Sequence, residues 1–137
     1  MMNKVKRFPY LCKQIVLADN SIRFAGIANK FGKKVVSEYR DGLVPLMTEA
    51  ESELSAIEAV IRMNTRREEN FQLKIGKPKY SFTAYNKIKR ATLLLDNEDY
   101  PILMMSLNKE ADHEHIILDK VLPIIRKEGL SSSSYQS

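Results

Sequence analysis

The sequence predicts an α+β domain in which a helix, a β-hairpin, a long helix, a three-stranded meander and a closing helix follow one another. Three observations lead to this prediction. Three segments carry apolar residues at helical spacing, whereas shorter segments alternate or are continuously apolar, as strands are. Thr48-Glu49-Ala50-Glu51 has the form of a capping box, which marks a helix start. The length of 137 residues fits one domain, which we assign to 1–130, with a disordered tail at 131–137.

The first helix and the hairpin occupy the first forty residues. We predict the helix over residues 8–18. Its apolar residues recur at helical spacing, namely Phe8, Cys12, Ile15 and Val16. The two strands follow at 22–28 and 33–40, and the turn between them ends at Gly32, which supplies a positive φ where the turn requires one. This part of the chain therefore contributes one helix and two antiparallel strands.

The long helix begins at the capping box and carries two apolar stripes. The stronger stripe recurs at spacings of three and four residues, and we expect it to face the core: Met47, Ala50, Leu54, Ile57 and Ile61. The milder stripe lies on roughly the opposite side: Ala56, Ala59, Val60 and Met63. A helix with two apolar sides packs against a different surface on each side. We therefore expect the second stripe to contact a helix of another copy of the chain.

Three strands and a helix complete the predicted order. The strand at 80–85 alternates, which indicates one solvated face. The strand at 88–95 becomes continuously apolar at its end, and that at 102–107 is apolar almost throughout. Burial on both faces predicts that the last two strands are central. The closing helix is expected to begin at the cap Asp112 and to end at Gly129, with Pro123 kinking it or shifting its boundaries.

Charge is unevenly distributed along the chain, although the net charge is only +5. Residues 62–90 contain nine basic and two acidic side chains. Aromatic residues lie among the basic ones, so nucleic-acid binding is one interpretation. The other is structural, because acidic residues at the start of the long helix and arginines near its end complement the helix dipole. We favour the structural interpretation.

Motifs for catalysis and cofactor binding are missing from the sequence. It contains no phosphate-binding glycine loop, no dinucleotide fingerprint and no nucleophile elbow. His113 and His115 are two residues apart, so on a helix they point away from each other and do not readily share a metal. Cys12 is the single cysteine and fits a small buried apolar residue. We predict no catalytic residue, no metal site and no cofactor, and, since no apolar run reaches the length of a membrane span, a cytoplasmic protein.

Residues 8–128 resemble the roadblock-type domain, which is related to the longin and profilin-like folds. The resemblance rests on the hairpin IRFAGIANKFGKKVVSEY, on the two-sided helix after TEAE, and on the strand ILMMSL that leads to the closing helix. The chain also resembles an uncharacterised archaeal family. The resemblance implies a five-stranded antiparallel sheet in the order 2-1-5-4-3. It places the first and last helices on one face and the long helix on the other.

The resemblance also implies a function. Roadblock-type domains commonly dimerise through their middle helices and third strands, and serve as non-catalytic platforms for small GTPases or larger regulatory assemblies. It therefore implies a homodimeric scaffold or regulatory adaptor, with a small GTPase as the partner class. The implied dimer interface comprises Ala56, Ala59, Val60, Met63, Tyr80 and Phe82. Partner binding is expected at the basic end of the long helix, at Arg62, Arg66 and Arg67.

Two alternative functions stay open. A small-molecule sensor of PAS or profilin-like shape predicts a cavity beside Phe24, Tyr39 and Met104. Nucleic-acid binding through residues 62–90 predicts an affinity that falls steeply with salt. The chain departs from the roadblock pattern in its longer helix and in the basic connector at 62–79, which leaves the geometry of any partner open.

Overall fold

The computed structural model describes residues 4–66, 74–76 and 78–131, with no description of the side chains of 64–66. The predicted partner-binding residue Arg67 and the predicted tail after Ser131 lie outside these ranges, as does the side chain of Arg66. In the described part of the chain, no helix combines the length and the apolar character needed to cross a membrane.

The elements follow the predicted order. The strands are β1 (Ile22–Ala28), β2 (Lys34–Tyr39), β3 (Tyr80–Ala84), β4 (Ile88–Leu94) and β5 (Ile102–Asn108). A 3₁₀ turn (Lys4–Arg7) leads into α1 (Phe8–Ala18), and the long helix is α2 (Glu49–Arg66). The closing helix consists of α3 (His113–His115), a π-helical segment (Ile116–Val121) and α4 (Leu122–Lys127).

The five strands form one antiparallel sheet in the order β2-β1-β5-β4-β3. This order confirms the arrangement that the roadblock resemblance implies. It also confirms that β4 and β5 are interior strands. In β5 every residue from Ile102 to Leu107 is buried, because helices cover both of its faces.

Helices pack on both faces of the sheet, which gives three layers. On one face α1 and the closing helix cover a cluster that includes Leu11, Ile15, Ile27, Leu103, Met105 and Ile117. On the other face α2 covers a smaller cluster that includes Phe24, Ile102 and Met104. Alternate residues of β5 therefore point into two separate cores.

The helix α2 presents the milder stripe, not the stronger one, to the sheet. Ala56, Ala59, Val60 and Met63 are all buried within the monomer. Four residues of the stronger stripe are instead exposed, namely Ala50, Leu54, Ile57 and Ile61. The expectation that the milder stripe faces another copy is therefore wrong. The two alanines lie on the face of α2 that packs on Phe24 and Met104, where small side chains permit a close approach.

The boundaries of the two later helices have identifiable causes. At the start of α2, the Thr48 N–H donates to Glu51 Oε1 (2.9 Å) and the Glu51 N–H donates to Thr48 Oγ1 (3.2 Å), which confirms the capping box. Asp112 accepts from the His115 N–H at the start of the closing helix. Pro123 lacks an N–H, and the helix just before it widens into π geometry, in which the Leu122 N–H donates to Ile117 O.

Two ion pairs attach α1 to the closing helix. The Arg7 guanidinium makes two hydrogen bonds of 2.8 Å to the Glu128 carboxylate. Lys120 Nζ lies 2.7 Å from Asp19 Oδ2. The bond from Arg7 lowers the pKa of Glu128, and the bonds from Lys120 and from the Ser21 N–H lower the pKa of Asp19.

These lowered pKa values predict acid sensitivity of the fold. Because the folded state holds both carboxylates ionised, their contribution is present above their ordinary values of 4.5 and 3.8 and is lost as pH falls below them. We expect urea unfolding to show that the stability difference between the wild type and the Asp19→Asn/Glu128→Gln variant is largest near pH 6. The difference should shrink steadily towards pH 3. A difference that stays constant with pH would contradict this assignment.

Candidate functional site

The part of α2 that does not face the core borders two surfaces. One is the α2 ridge, formed by the exposed side chains of Leu54, Ile57 and Ile61. The other is the α2–β4 cleft, between α2 and the strands β3 and β4. The helix contributes Ser55, Glu58, Ala59 and Arg62 to this cleft. The sheet contributes Ser81, Phe82 and Thr83 of β3, Arg90, Ala91 and Thr92 of β4 and Met104 of β5, and Tyr85 follows the end of β3.

The α2 ridge is an apolar surface beside the hairpin. Leu54, Ile57 and Ile61 are 58%, 43% and 61% exposed. The hairpin turn lies close to this helix: a Cβ atom added to Gly32 would be only 2.7 Å from the Cα of Ile57. Gly32 has a φ of +85°, as predicted for this turn. The preceding residue, Phe31, is 78% exposed, so the turn adds an aromatic side chain near the ridge.

The α2–β4 cleft is polar because of the register of β4. Arg90 and Thr92 point towards α2, whereas Lys89 points to the opposite side, where its Nζ donates to Ala111 O over 2.7 Å. On α2, Ser55 and Arg62 are seven residues apart and share one face. The resulting space is small, about 20 Å³. Hydroxyl groups and two guanidinium groups therefore surround one narrow opening.

Positive charge dominates the cleft. The Nε atoms of Arg62 and Arg90 are inaccessible to solvent, and neither donates to an acceptor among the residues that the structure describes. Burial lowers the pKa of Arg90 and the charge of Arg62 lowers it further, while Tyr85 and Glu58 act in the opposite direction. The cleft thus offers hydrogen-bond donors and net positive charge, with one carboxylate, Glu58, among its described lining.

The outer strand β3 holds the two remaining residues of the predicted dimer interface. Tyr80 packs against the core under α1 and the closing helix. Phe82 is 43% exposed and stacks on His113, with ring centroids 3.8 Å apart. Because β3 is the last strand of the sheet, its outer edge carries backbone groups that no described strand pairs. This edge and the α2 ridge are therefore two candidate surfaces for contact with a second chain.

The described residues of the basic segment 62–90 do not all lie on one face. Arg62 and Arg90 point into the α2–β4 cleft, whereas Lys89 lies on the other side of the sheet, 3.4 Å from His113 Nδ1. Arg67, Phe71 and Lys77, which belong to this segment, lie outside the described residues. The described members therefore do not form the stacking and phosphate-binding surface that nucleic-acid binding requires.

The cavity expected for a small-molecule sensor is not formed at the predicted residues. The rings of Phe24 and Tyr39 lie against each other, with centroids 4.8 Å apart. The pocket beside them measures about 30 Å³, far below the several hundred Å³ of ordinary ligand pockets. Met104 lines the α2–β4 cleft instead. A larger surface depression of about 260 Å³ lies between α1 and β2, where Lys13, Arg40, Glu38 and Asp41 carry balanced charges.

The residues with reactive or metal-binding side chains lie apart. Cys12 is buried, and burial raises the pKa of its thiol to about 12, which keeps it protonated. His113 stacks on Phe82, while His115 Nδ1 lies 2.7 Å from Asp119 Oδ2 at an exposed position. In the part of the chain that the structure describes, no three potential metal ligands come together.

Comparisons with known proteins identify the fold. No family model matches the sequence, and no curated protein is significantly similar to it. Solved structures do match. The gliding protein MglB of Thermus thermophilus superposes with a TM-score of 0.66 at 8% identity over 93% of this chain and 94% of that one.

Two further structures agree with the first. An MglB structure described as having a tetrameric arrangement gives a TM-score of 0.65 at 8% identity, over 93% of this chain and 94% of that one. The Roadblock/LC7 domain from Streptomyces avermitilis gives 0.63 at 10% identity, over 87% and 92% of the two chains. The chain therefore has the roadblock fold, as its sequence predicts. None of these three is described as archaeal, so the expected archaeal likeness has no counterpart among them.

Proposed function

We propose that this chain is a non-catalytic, self-associating regulatory adaptor. The α2 ridge is the observation that carries the proposal, because it places three large aliphatic side chains in a row on one exposed helix face. The unpaired edge of β3 supplies a second surface on the same molecule. The tetrameric arrangement of one MglB structure supports self-association as a property that this fold accommodates.

The chemistry of the described residues supports an adaptor over an enzyme. Nucleophilic catalysis needs a nucleophile and a base within hydrogen-bond reach of each other. Here the Cys12 thiol is buried and protonated, His113 is stacked on an aromatic ring, and His115 pairs with Asp119 at the surface. A small GTPase is the partner class that the roadblock resemblance implies, and we adopt it as the finer form of the proposal.

Light scattering of matched variants tests self-association. We expect the wild type to have at least twice the 15.8 kDa mass of one chain at micromolar concentration. Leu54→Glu places a charge on the α2 ridge and should reduce the mass to that of a folded monomer. Leu17→Glu is the control, because Leu17 is also an exposed leucine on a helix, at 64%, but lies on α1. It should leave the mass unchanged.

Two outcomes contradict the proposal. A wild type that is monomeric at tens of micromolar would show that the ridge does not mediate self-association. Equal loss of mass in both leucine variants would show that added negative charge, not the ridge, dissociates the assembly. The GTPase form of the proposal is tested separately, by comparing capture of GDP-loaded and GTP-analogue-loaded small GTPases by the wild type and by Leu54→Glu.

A further inference from the structure

The α2–β4 cleft concentrates hydrogen-bond donors from two separate elements. The described hydroxyl groups that line it come from both sides: Ser55 on α2, and Ser81, Thr83, Tyr85 and Thr92 on the strand side. Arg62 enters from α2 and Arg90 from β4. Hydroxyl groups adapt to an acceptor by rotation, and each guanidinium presents several N–H groups in a fixed plane. The cleft is therefore suited to a ligand that accepts hydrogen bonds on several sides.

Among the residues that the structure describes, few negative charges lie near the two arginines. Elsewhere in the molecule, the Nε and Nη2 atoms of Arg7 both donate to the carboxylate of Glu128. By contrast, among the described ion pairs within 4.0 Å, none involves Arg62 or Arg90. Tyr85, which hydrogen-bonds to Arg90, and Glu58 line the same cleft and offset part of the charge on Arg90. Two half-buried like charges facing one carboxylate destabilise the empty cleft, and an anion would relieve this cost.

We propose that the α2–β4 cleft binds a tetrahedral oxyanion of the phosphate class, either inorganic phosphate or the phosphate group of a small monoester. A phosphate group accepts hydrogen bonds in several directions, which matches hydroxyls and guanidiniums on both sides of the cleft. The space of about 20 Å³ is too small for a base or a sugar, so only the phosphate group enters and the remainder of a monoester stays outside. This site is independent of self-association through the α2 ridge.

Thermal unfolding at constant ionic strength tests the site. We expect inorganic phosphate to raise the melting temperature of the wild type saturably, relative to chloride at the same ionic strength. Glycerol phosphate should act similarly, whereas acetate should not. In Arg62→Gln and Arg90→Gln the response should be lost, and calorimetry should show phosphate affinity reduced roughly 10-fold or more. Arg126→Gln removes an exposed arginine from the opposite layer and should respond as the wild type does.

A second readout separates binding from a general effect of charge. Without phosphate, Arg62→Gln should be at least as stable as the wild type, because it removes one of two facing like charges. Arg62 is half-buried on a helix, so this variant decides the question even if Arg90→Gln does not fold. The proposal is overturned if phosphate stabilises the wild type no more than chloride, if acetate is equally effective, or if Arg126→Gln loses the response as well.

Discussion

Val60→Glu should unfold the protein or come close to it, although valine at this position belongs to the milder of the two apolar stripes of α2. Val60 is 7% exposed and packs in the core between α2 and the sheet, in the cluster that contains Met104 and Ile102. A carboxylate at this position loses its hydration and is surrounded by apolar side chains, which lowers the free energy of unfolding by about 3–5 kcal/mol. Because a domain of this size has a total stability of only about 5–15 kcal/mol, urea unfolding followed by circular dichroism will detect this loss.

Leu54→Glu is the matched control for Val60→Glu, since it places the same side chain on the exposed stripe of the same helix. Its expected cost to the fold of the monomer is within about 1 kcal/mol, from repulsion by Glu58 one turn away and from lost surface contacts. Because Leu54→Glu is also expected to dissociate the assembly, the variants are compared at concentrations at which the wild type is monomeric. Val60→Ala removes side-chain volume without adding a charge. Its loss of stability should lie between those of Leu54→Glu and Val60→Glu. If Leu54→Glu loses as much stability as Val60→Glu under these monomeric conditions, the assignment of the stripes in this structure is wrong.

Hydrophobicity alone ranks the two stripes of α2 incorrectly. The stripe with Leu54, Ile57 and Ile61 is the more apolar, so a sequence pattern assigns it to the core. The face that packs on the sheet also includes Ser52, which is 6% exposed and accepts a hydrogen bond from Lys34 Nζ. From the sequence alone, a serine that is buried and hydrogen-bonded cannot be distinguished from one exposed to solvent. The pattern therefore could not show that this face is the buried one.

Other parts of the fold were predictable because local chemistry determines them. The capping box at Thr48 and Glu51 needs only residues three apart, and it forms as expected. The segment 102–107, which is apolar almost throughout, predicts a strand buried on both faces, and β5 lies at the centre of the sheet. The capping box depends only on residues three apart in the chain. The apolar composition of β5 follows directly from the burial of both of its faces, so both features can be predicted without knowledge of the tertiary packing.

The α2–β4 cleft could be predicted only in part. The basic end of the long helix predicts partner binding at Arg62, and the structure places its side chain in the cleft. Its neighbour Arg90 lies 28 positions away, and the two come together only because β4 pairs with β3 below α2. The available signal was the alternation of Arg90 and Thr92 with apolar residues, which indicates a polar stripe on one face of β4. No spacing rule connects that stripe with α2.

Arg40→Ala should destabilise the fold by about 2–4 kcal/mol, although no sequence pattern marks this residue as structural. Its Nε donates to Ile22 O over 2.8 Å, and its Nη2 donates to the carbonyl oxygens of Val16 and Asp19. The carbonyls at the end of α1 lack helical partners, so one guanidinium satisfies them and ties α1 to the start of β1. Alanine leaves three partly buried carbonyl groups without this donor. Urea unfolding measures the loss.

Arg40→Lys distinguishes a requirement for the guanidinium fork from a requirement for positive charge. An ammonium group is a single point, so it cannot reach carbonyls of three residues on two elements at once. We therefore expect lysine to recover less than half of the stability lost in Arg40→Ala, and we expect hydrogen exchange to quicken first in the last turn of α1, near Val16. Full recovery by lysine, or exchange that quickens uniformly over the molecule, would contradict this role. The residue acts as a clamp because its donors diverge, and that geometry belongs to arginine alone among the cationic side chains.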